Sequence, residues 1–163
     1  MENKMSKKEI SIAAIERNRT WIEAVTCSLS KCGNFDLAKQ TMRAAGKNCA
    51  SQLLDKTIKH FGKTPESVHE LVEAINKRRK DLLNATNFWT IQGNQAHFQL
   101  DRCSCDLVEE GLADPNKTFC HCSAGMFENL FKPFCQGEVH TEIVKAIGMG
   151  DECCEFIVHF DEH

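Results

Sequence analysis

The sequence predicts an α+β fold: N-terminal helices packed on an antiparallel sheet built from two β-hairpins, with a short helix between the hairpins. Three observations carry this reading. Apolar residues recur at helical spacing as far as Leu83, the period changes to alternation after Asn84, and the second half holds two pairs of alternating segments joined by turn residues. The 163 residues read as one domain, 1–83 helical and 84–163 mixed, long enough to bury a core without external staples.

Ser6-Lys7-Lys8-Glu9 has the capping-box pattern, and Ile12, Ile15, Ile22, Val25 and Leu29 follow at helical spacing. Gly33 and Asn34 break that helix. A second helix is expected from about Asp36 to His60, with Leu53, Leu54, Ile58 and Phe61 as its stripe, Gly46 as a bend point and Gly62 as its end. A third starts with Thr64 as N-cap and Pro65 at the first helical position, and carries Val68, Leu71, Val72, Ile75 and Leu82 to about Leu83.

Gly93-Asn94 then sits between two alternating segments as the loop of a hairpin, setting Trp89 opposite Phe98, Ile91 opposite Ala96 and Asn87 opposite Leu100. A cysteine-bearing loop follows. A short helix is expected over Ser123–Phe131, stopped by Pro133. The last hairpin pairs Ile147 with Glu152. One of its faces carries Val139, Ile143, Ile147, Cys154, Phe156, Val158 and Phe160. The other carries His140, Glu142 and His159, with the two imidazoles opposite each other and the carboxylate two residues along. Such a face is either solvated or lines a pocket.

Twenty Lys and Arg stand against 23 Asp and Glu, for a net charge of −3, which is no nucleic-acid footprint. The run Lys77-Arg78-Arg79-Lys80 reads as a solvated helix face. The first residues lack an apolar core of signal-peptide length, and no apolar run is long enough to cross a bilayer, so a cytoplasmic protein is expected. Ten cysteines in that compartment argue for reduced thiols or metal ligands.

Cys103, Cys105, Cys120 and Cys122 form two C-x-C pairs separated by fourteen residues. From an extended chain, thiols at i and i+2 point the same way, so two pairs can offer four thiolates to a soft metal, zinc first and an iron–sulfur centre second. The competing reading is of small buried side chains, or of a redox pair. Cys153 and Cys154 are weaker metal or thiol candidates on opposite strand faces. Cys27, Cys32, Cys49 and Cys135 read as packing residues. There is no Gly-rich phosphate loop, no G-x-S-x-G and no H-E-x-x-H.

The segments "CHCSAGMFENLF" and "GEVHTEIVKAIGMGDECCEFIV" resemble the C-terminal half of the 4-vinyl reductase-type small-molecule-binding domain, through Cys122, Gly125, Gly137, Glu142, Gly150, Asp151, Cys154 and Phe156. That domain is related to a vesicle-tethering subunit fold. The Gly-Asp-x-Cys-x-Phe ending is also similar to L-2-amino-thiazoline-4-carboxylic acid hydrolase-like proteins, and the cysteine-rich loop to a bacterial branch of the group. The resemblance implies zinc ligation by Glu142 and Cys154 in sensor members. It departs here at Lys145, which stands where a further cysteine is expected and lies opposite Cys154 in the register above. The branch's Cys-Gly-x-x-Cys in the second helix reads Ala45-Gly46-Lys47-Asn48-Cys49 here.

Three functions follow as expectations. The first is a small-molecule-binding or sensing module with a cysteine-held metal, acting through a partner or a homodimer, with no nucleic acid and no membrane. The second is a hydrolase of a small sulfur- or nitrogen-containing ring using His140, His159, Glu142 and a cysteine. The third is an iron–sulfur or thiol redox protein.

Overall fold

The computed structural model describes residues 7–161 apart from Ser104, and the side chains from Ala14 onward. The expected α+β architecture is present. Three long helices, α1 (Lys7–Lys31), α2 (Phe35–Phe61) and α3 (Val68–Leu83), precede strands β1 (Thr90–Gln92) and β2 (Gln95–Leu100). Two helices follow, α4 (Asp106–Glu109) and α5 (Cys120–Phe131), then β3 (His140–Lys145) and β4 (Cys154–His159). The four strands form one antiparallel sheet in the order β1-β2-β4-β3, so the second hairpin joins the first through β4.

Local chemistry sets the helix ends. Asn34 caps α2, its side chain accepting from the Leu37 amide at 3.0 Å. Gly62 closes α2 in the left-handed region at φ +87°, its N–H donating to the Ile58 carbonyl. The third helix begins three residues later than expected. Ser67, not Thr64, is the N-cap, accepting from the Glu70 amide at 3.2 Å, and Pro65 lies in the preceding turn. Ser6 lies outside the described residues. No described helix is long and apolar enough to cross a membrane.

The core lies between the sheet and α2, α3 and α5. Trp89 stacks on Phe98 at 4.6 Å, as the expected hairpin register requires, and Phe127 of α5 meets Trp89 edge-on at 4.9 Å and Phe156 at 5.1 Å. Asn76 of α3 clamps the Trp89 backbone with two hydrogen bonds of 2.9 Å. Leu82 departs from the expected stripe and is exposed. Ile15, Trp21 and Val25 of α1 are likewise exposed.

α5 lies against α2 and starts at Cys120 instead of Ser123. The two helices touch backbone to backbone. A Cβ on Gly46 would collide with the Cys122 carbonyl and the Met126 amide, and one on Gly125 with the Arg43 backbone. Gly46 thus serves close approach within a continuous helix. In the last hairpin His140 pairs with His159, as expected, but a bulge between Ile143 and Lys145 shifts the register. Lys145 therefore pairs with Glu155, 3.4 Å away across a salt bridge, and not with Cys154. Ile147–Met149 form a 3-10 turn that ends at Gly150, φ +101°, with the Asp151 carboxylate accepting from the Ala146 amide at 2.8 Å.

Candidate ligand cleft and thiol cluster

Helical spacing on α2 puts Phe35, Lys39 and Arg43 on one face at i, i+4 and i+8. That face, with Lys117 from the turn before α5, His121 from its first turn, the strand residues His140–Ile143 and Met149, lines a cleft of about 530 Å³. Arg43 forms an ion pair with Glu128 and donates to the Thr141 carbonyl at 3.0 Å, while Glu128 accepts from the Thr141 amide at 2.9 Å. This pair ties α2, α5 and β3 together under the cleft.

His121 and Thr141 are the buried polar residues lining the cleft, and Thr141 Oγ1 has no hydrogen-bond partner. His121 is 6% exposed, packs edge-on against Phe35 at 5.7 Å, and its Nδ1 has no hydrogen-bond partner. Burial first, then the charges of Arg43 and Lys39, hold its pKa down at about 4, so the ring is neutral at pH 7. Lys117 Nζ lies 5.6 Å over the Phe35 ring. Lys39, Arg43 and Lys117 therefore share the lining with a neutral imidazole, Glu142 is the carboxylate of that lining, and Glu128 pairs with Arg43.

The expected trio of His140, Glu142 and His159 does come together. His159 Nε2 is 3.2 Å from Glu142 Oε2, and the two imidazoles stack with centroids 6.4 Å apart. His140, with its side chain 65% exposed, also lies 3.6 Å from Glu128. His140 and Glu142 line the cleft, whereas His159 is not among its lining residues and hydrogen-bonds Gln95 at 3.3 Å.

The C-x-C geometry is not the expected one. Cys120 and Cys122 lie on the first turn of α5, where residues two apart point about 200° apart. Cys120 faces Gly148, whose backbone hydrogen-bonds its sulfur, and burial pushes its pKa up to about 11. Cys122 faces α2, where its thiol shares a hydrogen bond with Cys49. That bond holds Cys49 down at about 6, with Lys56 assisting, while Cys122 is driven well above the ordinary thiol range by the same bond and by burial. Cys105 is the N-cap residue of α4, and burial raises its pKa. Cys154 is buried on the core face, and Cys153 meets Gln99 on the other. Among the described residues no group of three His, Cys, Asp or Glu side chains is disposed to hold a metal.

The sequence reading missed Lys39, Arg43, Lys117 and the Cys49–Cys122 contact. The signals were present: a basic pair at i, i+4 on α2, and Gly-x-x-Cys on one helix facing Cys-x-x-Gly on the other.

The sequence profile of DUF6144, a family of unknown function, matches residues 3–162. The chain belongs to this family. No curated protein matches it. Among solved structures, a trafficking protein particle complex subunit 3 from Naegleria fowleri, covalently bound to palmitic acid, superposes with a TM-score of 0.60 at 15% identity. The match covers 94% of this chain and 98% of that one, so the DUF6144 chain shares the α+β fold of that subunit over nearly its whole length.

Proposed function

We propose that this DUF6144 protein is a small-molecule-binding module of the 4-vinyl reductase type, and that its ligand is a small carboxylate with an apolar body seated in the α2–α5–β3 cleft. The observation that carries the reading is His121, buried and neutral with an unpartnered Nδ1, in a cleft lined by three cations. A carboxylate meets Lys39 and Lys117 by charge and His121 by hydrogen bonding, since the imidazole then takes the tautomer with the proton on Nδ1. Phe35, Ile143 and Met149 supply the apolar wall. The solved neighbour in fold is covalently bound to palmitic acid, whose apolar chain is the part comparable to the apolar body proposed here.

Thermal unfolding in a series of carboxylates from acetate to octanoate tests this. A ligand at a hundred times its dissociation constant stabilises by about 2.7 kcal/mol, which raises Tm by about 5–10 °C at this chain length. Lys39→Gln with Lys117→Gln should remove most of that rise. No rise with any member of the series, or the same rise in the double variant, overturns the proposal.

The hydrolase reading rests on the Glu142–His159 contact alone, which offers a base on the open sheet face. A cysteine-held zinc requires the loop carrying Cys103 and Cys105 to close on α5, and elemental analysis of protein purified without chelators reads that directly. For the partner, we propose a second copy of the chain seated on α1, where Trp21, Val25 and Leu29 border an apolar groove with no cover from the described chain.

A further inference from the structure

Outside the cleft, the feature with the clearest chemistry is where α2 and α5 cross. Gly46 and Gly125 allow the two backbones to touch, and each is followed or preceded one helical turn away by a cysteine: Cys49 beyond Gly46, Cys122 before Gly125. The crossing therefore fixes two thiols against each other from two separate helices. They share a hydrogen bond, Cys49 is exposed, and Cys122 is half-buried beside Met42 and Leu107. A disulfide needs Cα atoms about 4.4–6.8 Å apart, and the backbone contact at Gly46 and Gly125 brings the two helices close enough for such a link.

We infer that Cys49 and Cys122 are a reactive dithiol, which a small-molecule disulfide converts into a covalent link between α2 and α5. Cys49 is the attacking group because it is accessible and its sulfur accepts the Cys122 hydrogen bond, which stabilises negative charge there. Its thiolate attacks one sulfur of RS–SR, the S–S bond breaks, and RS⁻ leaves, taking a proton to become RSH. Cys122 then loses its proton to solvent and attacks the Cys49 sulfur, and that proton ends on the RS⁻ released in this step. The Cys49–SR bond breaks and a second RS⁻ departs. The protein gives up two electrons and two protons; the disulfide reagent becomes two thiols. Cys105, within electrostatic reach of both sulfurs, is the competing partner that the test has to separate.

The experiment uses the full reduced chain in oxidised glutathione, quenched in acid, alkylated and read by intact mass and peptide mapping. The expected result is loss of two of the ten alkylatable thiols and a peptide joining Cys49 to Cys122. Cys122→Ser should stop at one glutathione on Cys49, Cys49→Ser should abolish both products, and Cys105→Ser should change neither. Circular dichroism of the reduced variants confirms that each is folded before oxidation. Ten thiols remaining in the wild-type chain, or a link that survives in Cys49→Ser or vanishes in Cys105→Ser, overturns the inference.

Discussion

Gly125→Ala is the substitution that tests the α2–α5 crossing most directly. In an ordinary helix interior the change stabilises by about 0.5–1 kcal/mol, because alanine loses less backbone freedom on folding. Here the added methyl points into the Arg43 backbone, which has no rotamer to move away. Overpacking of a close-packed site costs about 1–3 kcal/mol, and a backbone obstacle puts this case at about 3 kcal/mol. Subtracting the helix gain leaves a net loss of about 2 kcal/mol, or a fall in Tm of about 4–8 °C for a chain of this length. Urea and thermal unfolding of Gly125→Ala and Gly62→Ala, side by side, give the comparison. Gly62 has open space around its Cβ position and a φ of +87°, so its substitution costs only the left-handed strain of about 1–2 kcal/mol. A Gly125→Ala protein as stable as wild type, or more stable, refutes the close crossing and removes the ground for the Cys49–Cys122 link.

Two further outcomes are expected. The His121 pKa of about 4 lies below the ordinary 6.5, so the unfolded chain takes up a proton first as pH falls. The stability held by the neutral ring is complete above pH 6.5 and is lost on the way down through pH 4, by about 3 kcal/mol at about 1.4 kcal/mol per pKa unit; His121→Phe should flatten that part of a stability–pH curve measured in urea, and an unchanged slope refutes the assignment. Sedimentation velocity should show a dimer that Trp21→Glu converts to monomer without loss of helical signal, and a monomeric wild type refutes the α1 interface.

Much of the fold was legible because its signals are local. Gly93-Asn94 fixes a two-residue hairpin loop, at φ +56° for Gly93, and the register of Ile91 on Ala96 follows from it. The facing of His140 and His159 followed in the same way from alternation. What was not legible turned on competing local signals and on irregular strand pairing. The N-cap moved from Thr64 to Ser67 because Ser67, not Thr64, stands three residues before the amide its side chain caps, and Glu70 reaches back to the Glu66 amide and to Lys63. The bulge after Ile143 lets Lys145 reach Glu155, and no alternation count contains it. Four residues of α4 are too few to show a period at all.

The expectation that Cys120 and Cys122 point the same way meets a helix, and the reason bears on the proposed sites. An extended chain sends residues i and i+2 the same way, but a helix turns about 100° per residue. Once α5 begins at Cys120, three successive side chains leave it in three directions. Cys120 goes to the Gly148 turn, His121 to the cleft against Phe35, and Cys122 to Cys49 on α2. One helical turn thus serves a structural contact, a proposed ligand site and a proposed dithiol, and the glycine crossing holds all three in place. A perturbation of that crossing should therefore move both carboxylate binding and cross-link formation. Gly125→Ala, measured in the two assays together, should weaken the octanoate-induced rise in Tm and the yield of the Cys49–Cys122 peptide in parallel. Loss of one with the other intact would show that the cleft and the thiols are positioned by separate contacts.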